Sequence, residues 1–362
     1  MTPTRPVRVL LADDSAVMRT VLRMVLAPHP GIEIAAAAAN GEEAVAAFDR
    51  LHPDLVLLDV EMPGMNGLQA LSAIRGRDRR VPILMCSTLT SRGARTTIEA
   101  LARGATDYVT KPEAQHNLRE AVETLSRDLL PKILAFASPQ PPAHAAPPAA
   151  PATRPAAPAH AAALPPKIIV LGVSTGGPAA LEAMLPKIPA SFPLPVLIVQ
   201  HMPRLFTGLL AERLDGLCPL HVREATPGTQ PQPGIIDIAR GDWHMELTRD
   251  FHLRLNQNPP ENFCRPSVDV LFRTAALATS GHLLGIVLTG MGSDGLAGSR
   301  AIRAAGGAVF VQDSATSTIW GMPGAVVNAG LASKILPLQS IPAEILRHVA
   351  ATASRRPEAA AV

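Results

Sequence analysis

The sequence predicts an α/β protein with two doubly wound, mostly parallel-sheet domains joined by a proline- and alanine-rich linker. Three observations carry this. Apolar, β-branched runs alternate with helix-prone runs on both sides of the chain's middle, which is the pattern of βα units. The middle, from Ser138 to Pro166, reads SPQPPAHAAPPAAPATRPAAPAHAAALPP. Proline forbids regular helix and the segment has almost nothing to bury, so it reads as an extended spacer. The 362 residues suffice for about two domains, each with its own core. The expected boundaries are 5–134 for the first domain, 135–166 for the linker, 167–350 for the second domain and 351–362 for a frayed tail.

Bulk properties narrow the class. An apolar fraction of 47% suits a soluble globular chain, and a formal charge of +3 is too small to argue for nucleic acid. Cys86, Cys218 and Cys264 are odd in number and widely spaced, which fits neither a disulfide framework nor a zinc pattern. A reducing compartment is expected, and with no apolar signal core in MTPTRPVRVLLA the expected location is the cytoplasm. No apolar run approaches the ~20 residues that span a bilayer, so no membrane insertion is expected.

In the first domain, strand after strand ends in a polar group. VRVLLA delivers Asp13 and Asp14, DLVLL delivers Asp59, PILMC delivers Ser87, and DYVT delivers Lys111 before Pro112. Parallel sheets bind ligands beyond the carboxyl ends of their strands, so these groups converge on one edge. Three carboxylates gathered there repel one another unless a divalent cation neutralises them, and an all-oxygen donor set suits Mg²⁺. Lys111 adds a point charge and Ser87 a hydroxyl, the groups wanted around a phosphoryl group.

These residues resemble the receiver domain of two-component response regulators. The Asp-Asp pair, LLDVEMPGMNG, LMCST and DYVTKP occur in order across roughly residues 5–130. The resemblance implies that Asp59 is the phosphoacceptor and that Asp13 and Asp14 are metal-binding acids. It also implies that Ser87 is the hydroxyl that follows the phosphoryl group, Tyr108 the switch aromatic and Lys111 the lysine of the phosphorylation site. A half-buried strand tyrosine needs no switching role, so Tyr108 keeps a plain structural alternative.

The second domain opens on KIIVLGVSTGGPAAL, a buried strand, a glycine-rich turn and a helix. Such a turn can cradle a phosphate on backbone N–H groups. It can equally expose a serine, because Gly172, Ser174 and Gly176 fit G-x-S-x-G, or it can be a structural turn only. The nucleotide readings weaken on inspection. No lysine follows Gly177, and serine stands where a dinucleotide fingerprint needs its second glycine. Meanwhile PVLIVQ ends in His201, and HLLGIVLTG opens into a loop holding Asp294. A serine hydroxyl needs a base, and the base needs an orienting carboxylate. The order Ser174, His201, Asp294 differs from that of α/β-hydrolases, but such triads are set by geometry.

GVSTGGPAAL, QHMP, FCRPSVDVLF, LTGMGSDG and DSATSTIWGMPGAV, across roughly 167–345, resemble the catalytic domain of the chemotaxis methylesterases, which have the same receiver–linker–esterase plan. The resemblance implies Ser174 as nucleophile, His201 as base and Asp294 as orienting acid. Thr175 and Met291 become the candidates for backbone oxyanion donors, and no cofactor is expected in the esterase site. The implied activity is hydrolysis of glutamyl methyl esters on chemoreceptor cytoplasmic helices, with methanol released, and deamidation of receptor glutamines by the same route. The implied phosphodonor is a chemotaxis histidine kinase, and the implied control is a receiver that covers the esterase until it is phosphorylated. One departure stands at 238–242, IARGD, where Arg240 replaces a usual proline.

The remaining histidines, among them His221, His244, His252 and His282, read as surface or packing residues. CRPSVDVLFRTA reads as an amphipathic helix with Val268, Leu271 and Phe272 in the core and Arg265, Ser267 and Asp269 on a polar face, with a substrate groove as the alternative role of that face. A phosphorylation-gated adaptor that keeps the fold without the chemistry is the main rival. A DNA-binding regulator is disfavoured, since no helix-turn-helix with a basic recognition helix is visible.

Overall fold

The computed structural model describes residues 5–112, 118–137 and 164–353, which fall in two compact units, one within Met1–Pro139 and the other within Gln140–Val362. Most of the expected linker and the SRRPEAAAV tail lie outside the described residues.

The first unit alternates strand and helix throughout: β1 (Val7–Ala12), α1 (Ala16–Leu26), β2 (Ile32–Ala38), α2 (Gly41–Leu51), β3 (Leu55–Asp59), α3 (Gly67–Arg77), β4 (Ile83–Ser87), α4 (Ser91–Ala102), β5 (Asp107–Thr110) and α5 (Leu118–Ala137). Its sheet has the order β2-β1-β3-β4-β5 and every pairing is parallel. Strands covered on both faces must be apolar throughout, and LVLLD of β3 and ILMCS of β4 are buried at every position. Helix starts follow local chemistry. Ser15, Asn66 and Thr90 each accept a backbone N–H of the first turn, from Met18, Gln69 and Gly93.

The second unit contains β6 (Ile168–Val173), α6 (Gly177–Met184), β7 (Val196–Gln200), α7 (Arg204–Asp215), β8 (His221–Glu224), β9 (Ile235–Ile238), β10 (His244–Leu247), β11 (Leu253–Asn256), α8 (Val268–Ala278), β12 (Leu283–Val287), α9 (Leu296–Ala304), β13 (Ala308–Gln312), α10 (Gly321–Asn328), β14 (Lys334–Leu336) and α11 (Ile341–Ala353). Its main sheet runs β14-β13-β12-β6-β7-β9-β8, all parallel, and β10 and β11 form a separate antiparallel hairpin. The chain leaves β6 toward β7 on one side and returns to β12 on the other. That reversal opens a crevice at the carboxyl ends of the three central strands.

Helices α5 and α11 run to Ala137 and Ala353, the last described residues of their segments. No helix among the described residues is long and apolar enough to cross a membrane.

Helix α8 packs on the sheet through Val268, Leu271 and Phe272, all fully buried. It comes so close to β6 that a Cβ at Gly172 would overlap the Val268 side chain. Overpacking of this kind typically costs about 1–3 kcal/mol. Gly172→Ala is therefore expected to lower the denaturant midpoint of the second unit by a corresponding amount. An unchanged midpoint would show that α8 can retreat freely.

Candidate active site

Three central loops meet over the second sheet. Ser174 leaves β6 in a turn that is tied down on both sides. Its N–H donates to Thr289 O at 3.0 Å, and its carbonyl accepts Gly177 N–H at 2.8 Å and Gln200 Nε2 at 3.0 Å. Gly176 sits in the left-handed region (φ 77°), which a side chain would resist, and from there the chain turns directly into α6. Gly290 packs on the serine, so that a Cβ there would stand 2.8 Å from Ser174 Cβ. His201 leaves β7, its N–H donating to Val173 O at 3.2 Å. Asp294 comes from the loop between β12 and α9, and its Oδ2 lies 2.8 Å from His201 Nε2.

Asp294 is buried, and donors from the protein take the place of water around it. Its Oδ2 accepts the Val268 N–H at 2.7 Å as well as the histidine. Its Oδ1 accepts Asp269 N–H at 3.0 Å, Gly295 N–H at 3.0 Å, Ser267 Oγ–H at 2.9 Å and Asn262 Nδ2 at 3.0 Å. Two of these donors are the first amides of α8, where the helix dipole also favours negative charge. Burial alone would raise the carboxyl, but the histidine's hydrogen bond and charge and the α8 amides outweigh it and hold Asp294 down at about 2. His201 moves the other way. Burial disfavours its cation, yet the hydrogen bonds and charges of Asp294 and Cys264 push it up to about 10.

With Nε2 committed to Asp294, the ring nitrogen left for a serine is Nδ1. Cys264 Sγ lies 3.5 Å from that Nδ1. Among the described residues no hydrogen bond joins Ser174 to His201. The structure therefore brings the histidine and aspartate together as a bonded pair and sets the serine on the neighbouring strand end.

The first unit holds the second cluster. Lys111 Nζ lies 2.7 Å from Asp13 Oδ2 and 2.8 Å from Asp59 Oδ1, and all three side chains are almost wholly buried. Burial, aided by Asp13, raises Asp59 to about 6 against the pull of Lys111. Lys111 itself is raised, because its two carboxylates outweigh burial. Carboxylate oxygens of Asp13, Asp14 and Asp59 lie within 4.8 Å of one another. A cavity of about 180 Å³ lined by Asp14, Asp59, Ser87 and Lys111 opens beside them. An oxygen-only donor set with room beside it fits a hard divalent cation. Ser87 is buried at the cavity wall, and its Oγ donates to Thr88 O at 3.3 Å. Tyr108 is buried with Lys132 Nζ 5.3 Å from its ring centre.

One expectation needs correction. Arg265 and Ser267 do not lie on α8, which begins at Val268 with Ser267 as its N-cap. Ser267 and Asp269 face inward, not toward an open groove. Ser267 donates to Asp294, and Asp269 accepts Gly298 N–H at 2.6 Å and Asn262 Nδ2 at 2.9 Å. Arg265 turns away to pair with Asp242 at 2.6 Å. That ion pair also braces the loop carrying Arg240, whose Gly241 N–H donates to Thr207 Oγ1 at 3.0 Å. Of the remaining histidines, His244 is buried and accepts the Ser267 N–H at 3.2 Å, which is a packing role. Asn262 and Cys264 were not singled out from the sequence, although both touch the His201–Asp294 pair.

The fold favours imidazolium and carboxylate together, and this sets a pH window. The His201 contribution to stability is full below 6.5 and is lost as pH rises toward about 10. The Asp294 contribution is full above 3.8 and is lost as pH falls toward about 2. Because Cys264 is one of the groups raising His201, Cys264→Ala should lower the pH at which the His201 ring titrates, followed by NMR of its Cε1–H. A midpoint that stays put would remove the cysteine from the electrostatics of the site.

Comparison with known proteins matches both units. The family model of the CheB methylesterase matches residues 169–345, and that of the response regulator receiver domain matches residues 9–123. A protein-glutamate methylesterase/protein-glutamine glutaminase of Trichodesmium erythraeum is 44% identical over 347 residues, covering 94% of this chain and 99% of its own. One from a Nocardioides species is 46% identical over 356 residues, covering 95% and 96%. Among solved structures, the Thermotoga maritima CheB methylesterase catalytic domain is 38% identical, with 50% of this chain and 98% of its own covered and a TM-score of 0.49. With full-length relatives at this level of identity and both domain models matched in order, the chain belongs to the receiver-bearing CheB methylesterase family.

Proposed function

We propose that this chain is a phosphorylation-controlled serine esterase that removes methyl groups from glutamyl methyl esters of chemoreceptors and deamidates receptor glutamines by the same route. The observation that carries the reading is the buried His201–Asp294 pair, 2.8 Å apart, above the strand end that bears Ser174. In this mechanism the neutral form of His201, the minority form while the ring is held up at about 10, is the base: Ser174 Oγ attacks the ester carbonyl carbon and its proton passes to His201 Nδ1. The imidazolium then protonates the departing methoxide, so methanol leaves and an acyl-serine remains. Water repeats the sequence, its proton going to Nδ1 and then to Ser174 Oγ, which frees the glutamate. For glutamine the leaving group is ammonia. The backbone N–H groups of Thr175 and Met291 are the proposed oxyanion donors, one directly after the nucleophile and the other beside the Gly290 that packs on it.

In the receiver, Asp59 is the proposed phosphoacceptor, with a chemotaxis histidine kinase as donor. Asp13, Asp14 and Asp59 would hold Mg²⁺, which when bound supplies charge neutralisation at the phosphoryl oxygens. Lys111 already spans Asp13 and Asp59 and would pair with the added phosphoryl charge. Ser87 and Tyr108 follow that charge and pass the change to the receiver surface. Phosphorylation of the receiver shifts the chain toward its active state. The proposed location is the cytoplasm, where three cysteines that form no disulfide among the described residues stay reduced.

Methanol release from methylated receptor membranes tests the chemistry. Ser174→Ala is expected to reduce turnover by about 10⁴–10⁶. Near-normal release from that variant would rule out the serine route. Acetyl phosphate with Mg²⁺ should raise release by the intact chain, and Asp59→Asn or chelation of the metal should abolish the rise. A full response in Asp59→Asn would place the control elsewhere.

A further inference from the structure

Beside the His201–Asp294 pair lies a four-residue turn, Glu261–Cys264, closed by two backbone hydrogen bonds. Glu261 N–H donates to Cys264 O at 3.1 Å, and Cys264 N–H donates to Glu261 O at 2.9 Å. Both central residues have positive φ, 53° at Asn262 and 63° at Phe263. Those signs belong to a type I′ turn, whose second central position favours glycine because a β-carbon is strained there. Here that position holds a phenylalanine, and the side chain is fully exposed at 101%. It is thus unfavourably placed twice over, in backbone conformation and in solvation.

The turn is fixed at each of its other three residues. Glu261 pairs with Arg273 of α8 at 2.6 Å. Asn262 Nδ2 donates to Asp269 at 2.9 Å and to Asp294 at 3.0 Å. Cys264 Sγ lies 3.5 Å from His201 Nδ1. Phe263 alone points outward from this rigid loop, so its ring is presented in advance of any contact. Backbone strain persists where the surroundings enforce it, and it gathers at functional sites.

We propose that Phe263 is a specificity-determining residue that docks on apolar side chains flanking the esterified glutamate of the protein substrate. This inference rests on the esterase reading above. Its geometric basis is the short tether of the reacting group. Three C–C bonds separate a glutamyl Cα from its carboxyl carbon, a reach of roughly 4 Å. A protein carrying the ester must therefore bring its backbone nearly onto the site, and with it the side chains one helical turn away, about 5–6 Å distant. The turn that touches both His201 and Asp294 lies within that footprint, and the ring at its tip is the part that meets the incoming surface. Aromatic anchors held rigid before contact are the side chains that most often dominate recognition.

The test uses the full chain with acetyl phosphate and Mg²⁺, and follows methanol release from methyl-labelled receptor membranes over a range of receptor concentrations. Phe263→Gly relieves the left-handed strain, so its thermal unfolding midpoint should equal or exceed that of the parent. Its kcat/KM should nevertheless fall about tenfold, with the loss carried by KM, and Phe263→Leu should recover much of it. A loss confined to kcat, or unchanged kinetics in Phe263→Gly, overturns the inference. So does a fall in the unfolding midpoint that parallels the loss of activity. If the parent chain itself releases no methanol, the esterase reading fails first and takes the inference with it.

Discussion

The second unit is organised around one buried carboxylate. An unpaired charge in a protein interior is prohibitively unfavourable, and Asp294 is tolerable only because six donors converge on it. Those donors come from α8, from the residue that precedes it, from the loop that carries Asp294 itself, and from two distant segments. Each must be in register for the others to bond. The close approach of α8 to β6 at Gly172 is part of the same arrangement, since it lets the helix's first amides reach the acid. The imidazole then inherits its position and its charge preference from an anion that is already fixed.

The receiver solves a related problem with the signs exchanged. There a single cation, Lys111, is shared by two buried acids that would otherwise repel, and Asp59 stays raised because its burial outweighs the pull of that cation. In the esterase unit one anion is over-satisfied, whereas in the receiver two anions compete for too little positive charge. The first arrangement suits a rigid site. The second suits one poised to accept a further charged group together with its counter-ion.

The main features of both centres could be read from the sequence because parallel sheets make strand ends legible. An apolar run that stops at Asp13, Asp59, His201 or the turn at Ser174 announces both the strand and the group at its edge. Less legible was everything contributed by irregular backbone. CRPSVDVLFRTA reads as one amphipathic helix by its apolar spacing, although Ser267 ahead of Val268 with Asp269 in the first turn is a helix-start pattern. A helix that starts there leaves the amides of Val268 and Asp269 free to bind an anion. Asn262 and Cys264 gave no such signal. Their importance comes from a turn with two positive φ angles, and neither asparagine-phenylalanine nor a solitary cysteine predicts that geometry.

The crowding around Asp294 also bears on how far a proton can travel. A carboxylate whose lone pairs are already engaged by six donors has little basicity left, so it makes a poor terminus for a proton relay. A proton taken from a hydroxyl would come to rest on the ring of His201, and the aspartate would answer only with charge. In the proposed mechanism the chemistry at this site is then a single-step shuttle between the oxygens and one nitrogen, with no deeper reservoir behind it.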